Sequence, residues 1–353
     1  MQSSSNLRAI KDASSEGFTG AARLNIKPVV LCEGKMTNSY SNPALNEVCV
    51  VIPTYKRSDG LRTAIESLFQ QAIMAEGVRV LVVDNNPLPA EKALVTALAL
   101  KLNHEIEYVH EPNAGVSNAR NAAMKVATTS RYIAFLDDDM KVGAHWLYEL
   151  LQTSKALKAG LVFGPTHAVM PHKGDPSNVY MEPFFERKLP IAEDGYIEDT
   201  LGTGGCLIDL KHCQLPSPPF NPDLNERGGE DDIFFDHLKQ TGTRVAWSAK
   251  AESFEIVPTT RATHNYIWKR NFGYGQGPAR IHASRGLKGA PKVIYFMAAG
   301  ALQLLCYTPI LLALSVMKRP AKSKYLALTA RALGKIFWQD KFSPLLYGQS
   351  AHV

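Results

Sequence analysis

Three consecutive carboxylates, Asp137, Asp138 and Asp139, follow directly on the apolar run Tyr132-Ile-Ala-Phe-Leu136. Like charges crowded at the end of a buried strand persist only where something cationic neutralises them. A divalent metal is the usual answer, and a metal at a strand end is placed to grip a diphosphate. The alternative is a solvated acidic turn, which the buried character of the preceding run disfavours. A second acidic group, Glu230-Asp231-Asp232, follows Gly228 and Gly229 where a helical pattern starts. A helix N-terminus favours ionised carboxylates, and an ionised carboxylate can take a proton from a hydroxyl. The bland alternative is a capping cluster without chemistry. The triplet points to an enzyme that uses a nucleotide-activated substrate.

The elements around these residues alternate. Val48-Cys-Val-Val-Ile52 is a continuous apolar run ended by Pro53, the pattern of a buried parallel strand. Ser58-Asp59 can cap a helix that places Leu61, Ala64, Ile65 and Leu68 on one face. A second strand over 78–83 ends in Asp84-Asn85-Asn86-Pro87. Pro89 suits the first turn of the next helix, with Leu94, Leu98 and Leu102 on one side. A short strand over 107–110, a helix over 117–127 and the strand over 132–136 follow. A helix over 146–157, a strand over 160–164, a long loop to about 200 and a glycine-rich entry to a strand at 201–209 complete the series. Strand alternating with helix implies a mostly parallel sheet with helices on both faces. Ligands bind such sheets at the carboxyl ends of the strands, here Thr54-Tyr55, Asp84 and the acid triplet.

Residues 1–46 are rich in Ser, Asn and small residues and carry no periodicity, which predicts disorder, and Met36 offers an alternative start. The five cysteines include no Cys-x-x-Cys pair, which argues against a disulfide scaffold; nothing completes a metal set around His212 and Cys213. From Arg261 onward stand 14 Lys or Arg and one acid, Asp340, so the tail carries +13 and the rest of the chain −7. A basic tail needs an anionic partner. Residues 293–317 are uncharged, long enough as a helix to cross an apolar layer, and flanked by basic residues at both ends. Basic flanks on both sides do not choose an orientation, and with the internal Pro309 they fit a bent, re-entrant or in-plane helix as well as a span. Residues 324–337 form an amphipathic pattern: Tyr325, Leu328, Ala332, Leu333, Ile336 and Phe337 share a face beside Lys324, Arg331 and Lys335. That is the composition of a helix lying on anionic lipid, or of one packed on the protein's own surface. Nucleic acid is a poor account of a basic tail built around a long apolar run.

Five ordered motifs carry a family resemblance. They are Val50-Val-Ile-Pro-Thr-Tyr-Lys-Arg57, Val82-Val-Asp-Asn85, Asn113-Ala-Gly-Val-Ser-Asn-Ala-Arg-Asn121, Phe135-Leu-Asp-Asp-Asp139 and Gly229-Glu-Asp-Asp232. Over about 47–275 the chain resembles family 2 glycosyltransferases of the GT-A (Rossmann-like) fold, most nearly succinoglycan-type exopolysaccharide glucosyltransferases. The resemblance implies a nucleotide-binding role for Pro53, Thr54, Tyr55 and Arg57, and a uracil contact for Asp84. Asn85 stands where the family often has a second acid. Asn113, Gly115, Ser117 and Arg120 lie on the segment that closes over the uridine. Asp139 and Asp137 match the metal-binding Asp-x-Asp element for Mg²⁺ or Mn²⁺, with Asp138 near ribose or water. Thr203, Gly204 and Gly205 would wall the sugar pocket. Asp231 matches the catalytic base, with Glu230 positioning base or acceptor. Trp268, Lys269, Arg270 and Tyr274 fall where the family places a mobile loop over the diphosphate. His264 is either a further metal or diphosphate contact or structural. The stretch lacks the Gln-x-x-Arg-Trp form, which disfavours processive synthesis.

These residues imply a GT-A domain over 47–280 and a basic, membrane-associating helical tail over 281–353. The expected activity is inverting, metal-dependent transfer of a sugar from a UDP-sugar to a lipid-linked or surface-glycan acceptor. The expected place is the cytoplasmic face of a bacterial inner membrane, on anionic lipid and within a glycan-assembly complex. A polyprenyl-phosphate sugar synthase of the same fold is the close rival, but a phosphate nucleophile needs no Asp231. A non-catalytic nucleotide-sugar-binding scaffold is the rival from another class, and the intact acidic sites argue against it.

Overall fold

A computed structural model describes residues 47–344 except 173, 226–227 and 284–285. The expected disorder over 1–46 and the alternative start at Met36 lie outside the described residues. The first half builds as its apolar runs predict. Strands β1 (Val48–Thr54), β2 (Arg79–Asp84), β3 (Ile106–His110) and β4 (Tyr132–Phe135) are parallel, joined by α1 (Ser58–Leu68), α2 (Lys92–Leu102) and α3 (Val116–Ala127). Side chains alternate across a strand, so β1 feeds two cores. Val48, Val50 and Ile52 pack with α1, α2 and the helix α4 described below, while Cys49 and Val51 pack with α3. Each such buried aliphatic side chain contributes roughly 1.5–3 kcal/mol relative to exposure. Covering on both faces is what an unbroken apolar strand requires.

Two helix starts differ from expectation. No side chain caps α1; Ser58 Oγ instead donates to Glu91 Oε1 at 2.8 Å. Helix α2 begins at Lys92, so Pro89 lies before its first turn, in the segment that brings the Glu91 amide to Asp84.

After β4 the acid triplet leads into β5 (Met140–Val142), α4 (Trp146–Leu157), β6 (Leu161–Phe163), β7 (Thr166–Val169), α5 (Asn178–Met181), β8 (Gly195–Tyr196) and β9 (Cys206–Asp209). Then come α6 (Glu230–Gln240), β10 (Val245–Trp247) and β11 (Ser253–Ile256). Among the described residues the main sheet has the order β3-β2-β1-β4-β9-β6-β10-β8, and a smaller sheet has the order β5-β11-β7. Strand β9 is antiparallel to both β4 and β6, and β8 to β10, so the sheet is mostly parallel, as expected, with two reversed strands. The reason is the connection: the chain enters β9 from a long loop, without the helical crossover that a parallel neighbour needs.

The tail is three packed helices, α7 (His264–Ala283), α8 (Ala290–Val316) and α9 (Lys322–Ile336). The expected boundary at 280 falls within the last turn of α7. Helix α9 runs parallel to α7, since His264 meets Ser323, Asn271 meets Arg331 and Gln276 meets the Phe337 carbonyl in that order. Glycines set how closely the two approach. A Cβ on Gly275 would lie 2.1 Å from the Arg331 carbonyl oxygen, and one on Gly334 2.0 Å from that of Phe272. Helix α8 packs against α9 with Gly300 beside the Ala332 carbonyl and Tyr307 beside Tyr325. The expectation that α9 lies on lipid is therefore corrected. Its small residues Ser323, Ala327, Ala330 and Gly334 are buried, and Tyr325, Leu328, Leu333 and Ile336 are partly covered. Small side chains let the backbones close, which outweighs the larger apolar face. Helix α8 continues through Pro309, and Gly286–Val316 is long and apolar enough to cross a membrane by length and composition.

Candidate active site

Because β1, β2 and β4 are parallel, their carboxyl ends open on one side of the sheet. There the acid triplet meets arginines. Asp138 is a buried tie: Thr54 Oγ1 and the Tyr55 amide donate to Oδ2 at 2.9 and 3.2 Å, and Arg57 donates to Oδ1 at 2.8 Å. Burial, with Asp139 adding, pushes its carboxyl up to about 6 against the pull of Arg57. Arg57 and Arg261 both donate to Asp139 Oδ2, at 2.8 and 2.9 Å. Burial opposes the Asp139 charge, yet Arg261, Arg57 and Arg187 outweigh it and hold the group below the usual carboxylate range. Asp137 is the most open of the three, with a third of its side chain exposed and Arg120 Nη2 3.8 Å away. Burial in the cleft raises Asp137, aided by Asp139 and Glu255 and opposed by Arg120 and Arg187. Gly204 makes room for it, since a Cβ there would lie 2.2 Å from Asp137 Oδ2. The neutralising cations among the described residues are thus arginines.

The second acidic group reaches the same cleft. Gly228 and Gly229 take φ values of 75° and 87°, a left-handed turn that starts α6 at Glu230. Glu230 is buried and accepts from Arg120 Nη1, while the Arg120 guanidinium lies 5.6 Å from the centre of the Phe220 ring. Burial raises Glu230 despite that arginine. Burial works against the Arg120 charge, but Glu230, Asp137 and Asp231 more than compensate, so its pKa is raised. Arg120 therefore joins the acids at the end of β4 to those at the start of α6. Asp231 is half-buried, and its Oδ2 would stand 3.6 Å from a Cβ on Gly202. The side chains of Tyr55, Arg120 and Thr203 each keep a buried polar atom (Oη, Nε and Oγ1) with no protein partner. Such groups are satisfied by solvent or a ligand.

Other expected residues hold structure. Asp84 is fully buried, and its four lone-pair positions are taken by the Asn86 amide, Asn86 Nδ2, the Glu91 amide and Tyr108 Oη at 2.7–3.0 Å. It has nothing left for a uracil N–H, so the expected base contact is not formed by this arrangement. Asn85 instead ties the next segment: its Nδ2 donates to the Glu111 and Asn113 carbonyls, and its Oδ1 accepts from the Gly115 amide, each at 2.8 Å. Asn113 bonds Glu111 and stays exposed. Gly115 has φ 146°, and a Cβ there would strike Asn225 at 2.3 Å. Pro53 continues β1, and Gly205 turns into β9 with φ 90°.

The expected loop at Trp268–Tyr274 is a correction. These residues lie inside α7, where Arg270 donates to Tyr274 Oη and Tyr266 Oη at 2.6 and 2.9 Å. His264 is bonded to Ser323 Oγ at 2.9 Å, the structural role. Two further cations stand at the triplet, neither singled out by the sequence: Arg261, bonded to Asp139, and Arg187, bonded to Glu255. The small sheet brings them. Register places Glu255 of β11 opposite Met140, one residue past the triplet, and Arg187 bridges to Thr166 of β7. Glu255, 4% exposed, accepts from Arg187 at 3.0 Å and lies 3.9 Å from Arg261. The only signal for them was the demand of the triplet for cations.

Residues 49–208 match the family model described as "Glycosyl transferase family 2". Over 263 residues the chain is 34% identical to the succinoglycan biosynthesis protein ExoM of Rhizobium meliloti, covering 73% of this chain and 82% of that one. It is 38% identical over 96 residues to the succinoglycan biosynthesis protein ExoW of the same organism, covering 26% of this chain and 29% of that one. A solved structure of GalNAc-T7 with UDP, GalNAc and Mn²⁺ is similar at a TM-score of 0.49 and 15% identity, covering 66% of this chain and 50% of that one.

Proposed function

Because this chain belongs to glycosyl transferase family 2 and is a glycosyltransferase of its GT-A fold, we propose that it is an inverting, metal-dependent enzyme. It moves one sugar from a UDP-sugar to a lipid-linked or cell-surface glycan acceptor. The carrying observation is Arg120, which holds Asp137 and Glu230 in one cleft and leaves Asp231 beside Gly202. Asp231 takes the proton of the acceptor hydroxyl as that oxygen bonds to the anomeric carbon. The sugar–phosphate bond breaks on the opposite face, and UDP leaves with the electron pair. Glu230, locked to Arg120, positions the base.

The donor set fits a divalent ion of the Mg²⁺ or Mn²⁺ type, which takes one or two carboxylates and fills its shell with diphosphate oxygens and water. Asp139 and Asp137 would hold it, and its chemistry would be stabilisation of charge on the departing diphosphate. Arg57 and Arg261 stand on the same carboxylate, placed to pair with phosphate oxygens when a donor enters. Thr54, Tyr55, Asn113, Gly115, Gly204 and Gly205 line the nucleotide-sugar pocket in this reading, and Asp84 shapes it by fixing Asn86 and Glu91. The relation to two proteins named for succinoglycan biosynthesis supports a glycan acceptor. The apolar α8 supports work at a membrane, and this reading puts the domain on its cytoplasmic face within a glycan-assembly complex.

Asp231→Asn is the test. It should keep the thermal stabilisation given by a UDP-sugar with Mn²⁺, worth about 2.7 kcal/mol at a hundred times the Kd. Transfer should fall roughly 10²–10⁴-fold. Near-normal transfer would sink the base assignment.

A further inference from the structure

Helix α8 leaves Ile294, Leu302, Leu305, Leu312 and Val316 between 61 and 83% exposed. Its covered side is a narrow stripe through Val293, Gly300 and Gln303. We propose that α8 lies in the plane of an anionic membrane surface, with this apolar face in the acyl boundary, and does not cross the bilayer. The proposal deepens the membrane part of the functional reading and is independent of the sugar chemistry.

The neighbours of α8 carry the argument. Helices α7 and α9 pack with it, and α9 sets a cation beside its middle. Lys335 Nζ donates to Gln303 Oε1 at 2.9 Å, and Gln303 is near the middle of α8. One turn away on α9, Arg331 donates to Asn271 Oδ1 of α7 at 2.9 Å. If α8 stood upright across a bilayer, these cations would be carried to its core. A charged side chain there is costly, and it usually finds an acid or a water-filled cavity. From Arg261 onward the sequence offers one acid, Asp340, and it lies 3.3 Å from Arg280.

Laid flat, the same unit has no such conflict. The apolar face points into the membrane, and α7 and α9 stay on the aqueous side. A helix of 27 residues then extends about 40 Å along the surface. Lys288 and Lys292 precede its apolar run, and Lys318 and Arg319 follow it. Both basic ends meet anionic headgroups at the same depth.

The test uses the full chain in cells. Lys288→Cys and Arg319→Cys are made separately, with Cys32, Cys213 and Cys306 changed to serine. A membrane-impermeant maleimide is applied to spheroplasts and to inverted membrane vesicles. Neither site should react in spheroplasts, and both should react in inverted vesicles. Reaction at one end only in each preparation means a span and overturns the proposal. A nitroxide on Cys306, with Cys32 and Cys213 as serine, should sit about 5–10 Å below the headgroups. A position at the bilayer centre overturns it. Leu302→Glu with Leu305→Glu should lower flotation with vesicles of phosphatidylcholine and phosphatidylglycerol at least tenfold, and unchanged flotation refutes the surface. Stabilisation by a UDP-sugar, read in the same samples, shows that the variant is folded and separates failure of this surface from failure of the transferase reading.

Discussion

In the cleft, Arg57, Arg120, Arg187 and Arg261 each reach a carboxylate; in the tail, Arg331 and Lys335 donate to amide oxygens, and the Arg331 guanidinium lies 5.7 Å from the centre of the Tyr274 ring. The first region pairs its cations from within. Each guanidinium meets a carboxylate brought from a distant stretch of chain, and the acids stay in excess. The second region leaves its charge open. Arg331 and Lys335 have packing and amide partners but, among the described residues, no acid within ion-pair distance. Cations paired from within hold a shape, whereas cations left without acids select a surface.

The sharpest way to break that comparison is to remove one arginine from each region. Arg120→Met leaves Glu230 buried without its cation and should destabilise the protein by roughly 3–5 kcal/mol, read from the denaturant midpoint. Gly275→Val drives side-chain atoms into the Arg331 backbone and should cost about 1–3 kcal/mol. That loss should appear as faster amide exchange in α7 and α9, with the sheet unaffected. Arg331→Met removes a cation that has no acid and should cost no more than about 1 kcal/mol, the worth of a hydrogen bond. An Arg331 variant as damaging as the Arg120 one would erase the distinction.

The smallest effect is a pH dependence at the joint between the regions. Burial lowers His264, Lys322 adds to this, and Asp175 opposes it. The folded state therefore prefers the neutral ring. Its contribution is present above the ordinary value of 6.5 and is lost as pH falls through the lower folded value. For a partly exposed group the size is a few tenths of a kcal/mol. Thermal midpoints between about pH 8 and pH 5 should fall less in His264→Gln than in the parent chain. An identical slope in both would clear His264 of the effect.

The local signals were legible and the convergent ones were not. Strand β1 could be read because five consecutive apolar residues leave no solvent face, and the start of α6 because two glycines precede three acids. The antiparallel β9 was hidden, since direction depends on how a long loop returns and not on strand composition. Asp84 looked like a ligand contact because its four donors come from Asn86, Glu91 and Tyr108, which only the packed strand end assembles. Arg187 and Arg261 were hidden for the same reason. They come to the triplet through a small sheet whose three strands lie far apart in the chain. In α9 the large apolar residues drew attention, while Gly334 and its small neighbours decided the packing.

Arg261 grips Asp139 and lies three residues before the first turn of α7. Three residues of chain reach at most about 11 Å, so this is a short leash. A tilt of the helical platform cannot be taken up as slack and must be passed to the carboxylate at the other end. Asp139 of the cleft is thus mechanically in series with the helical tail.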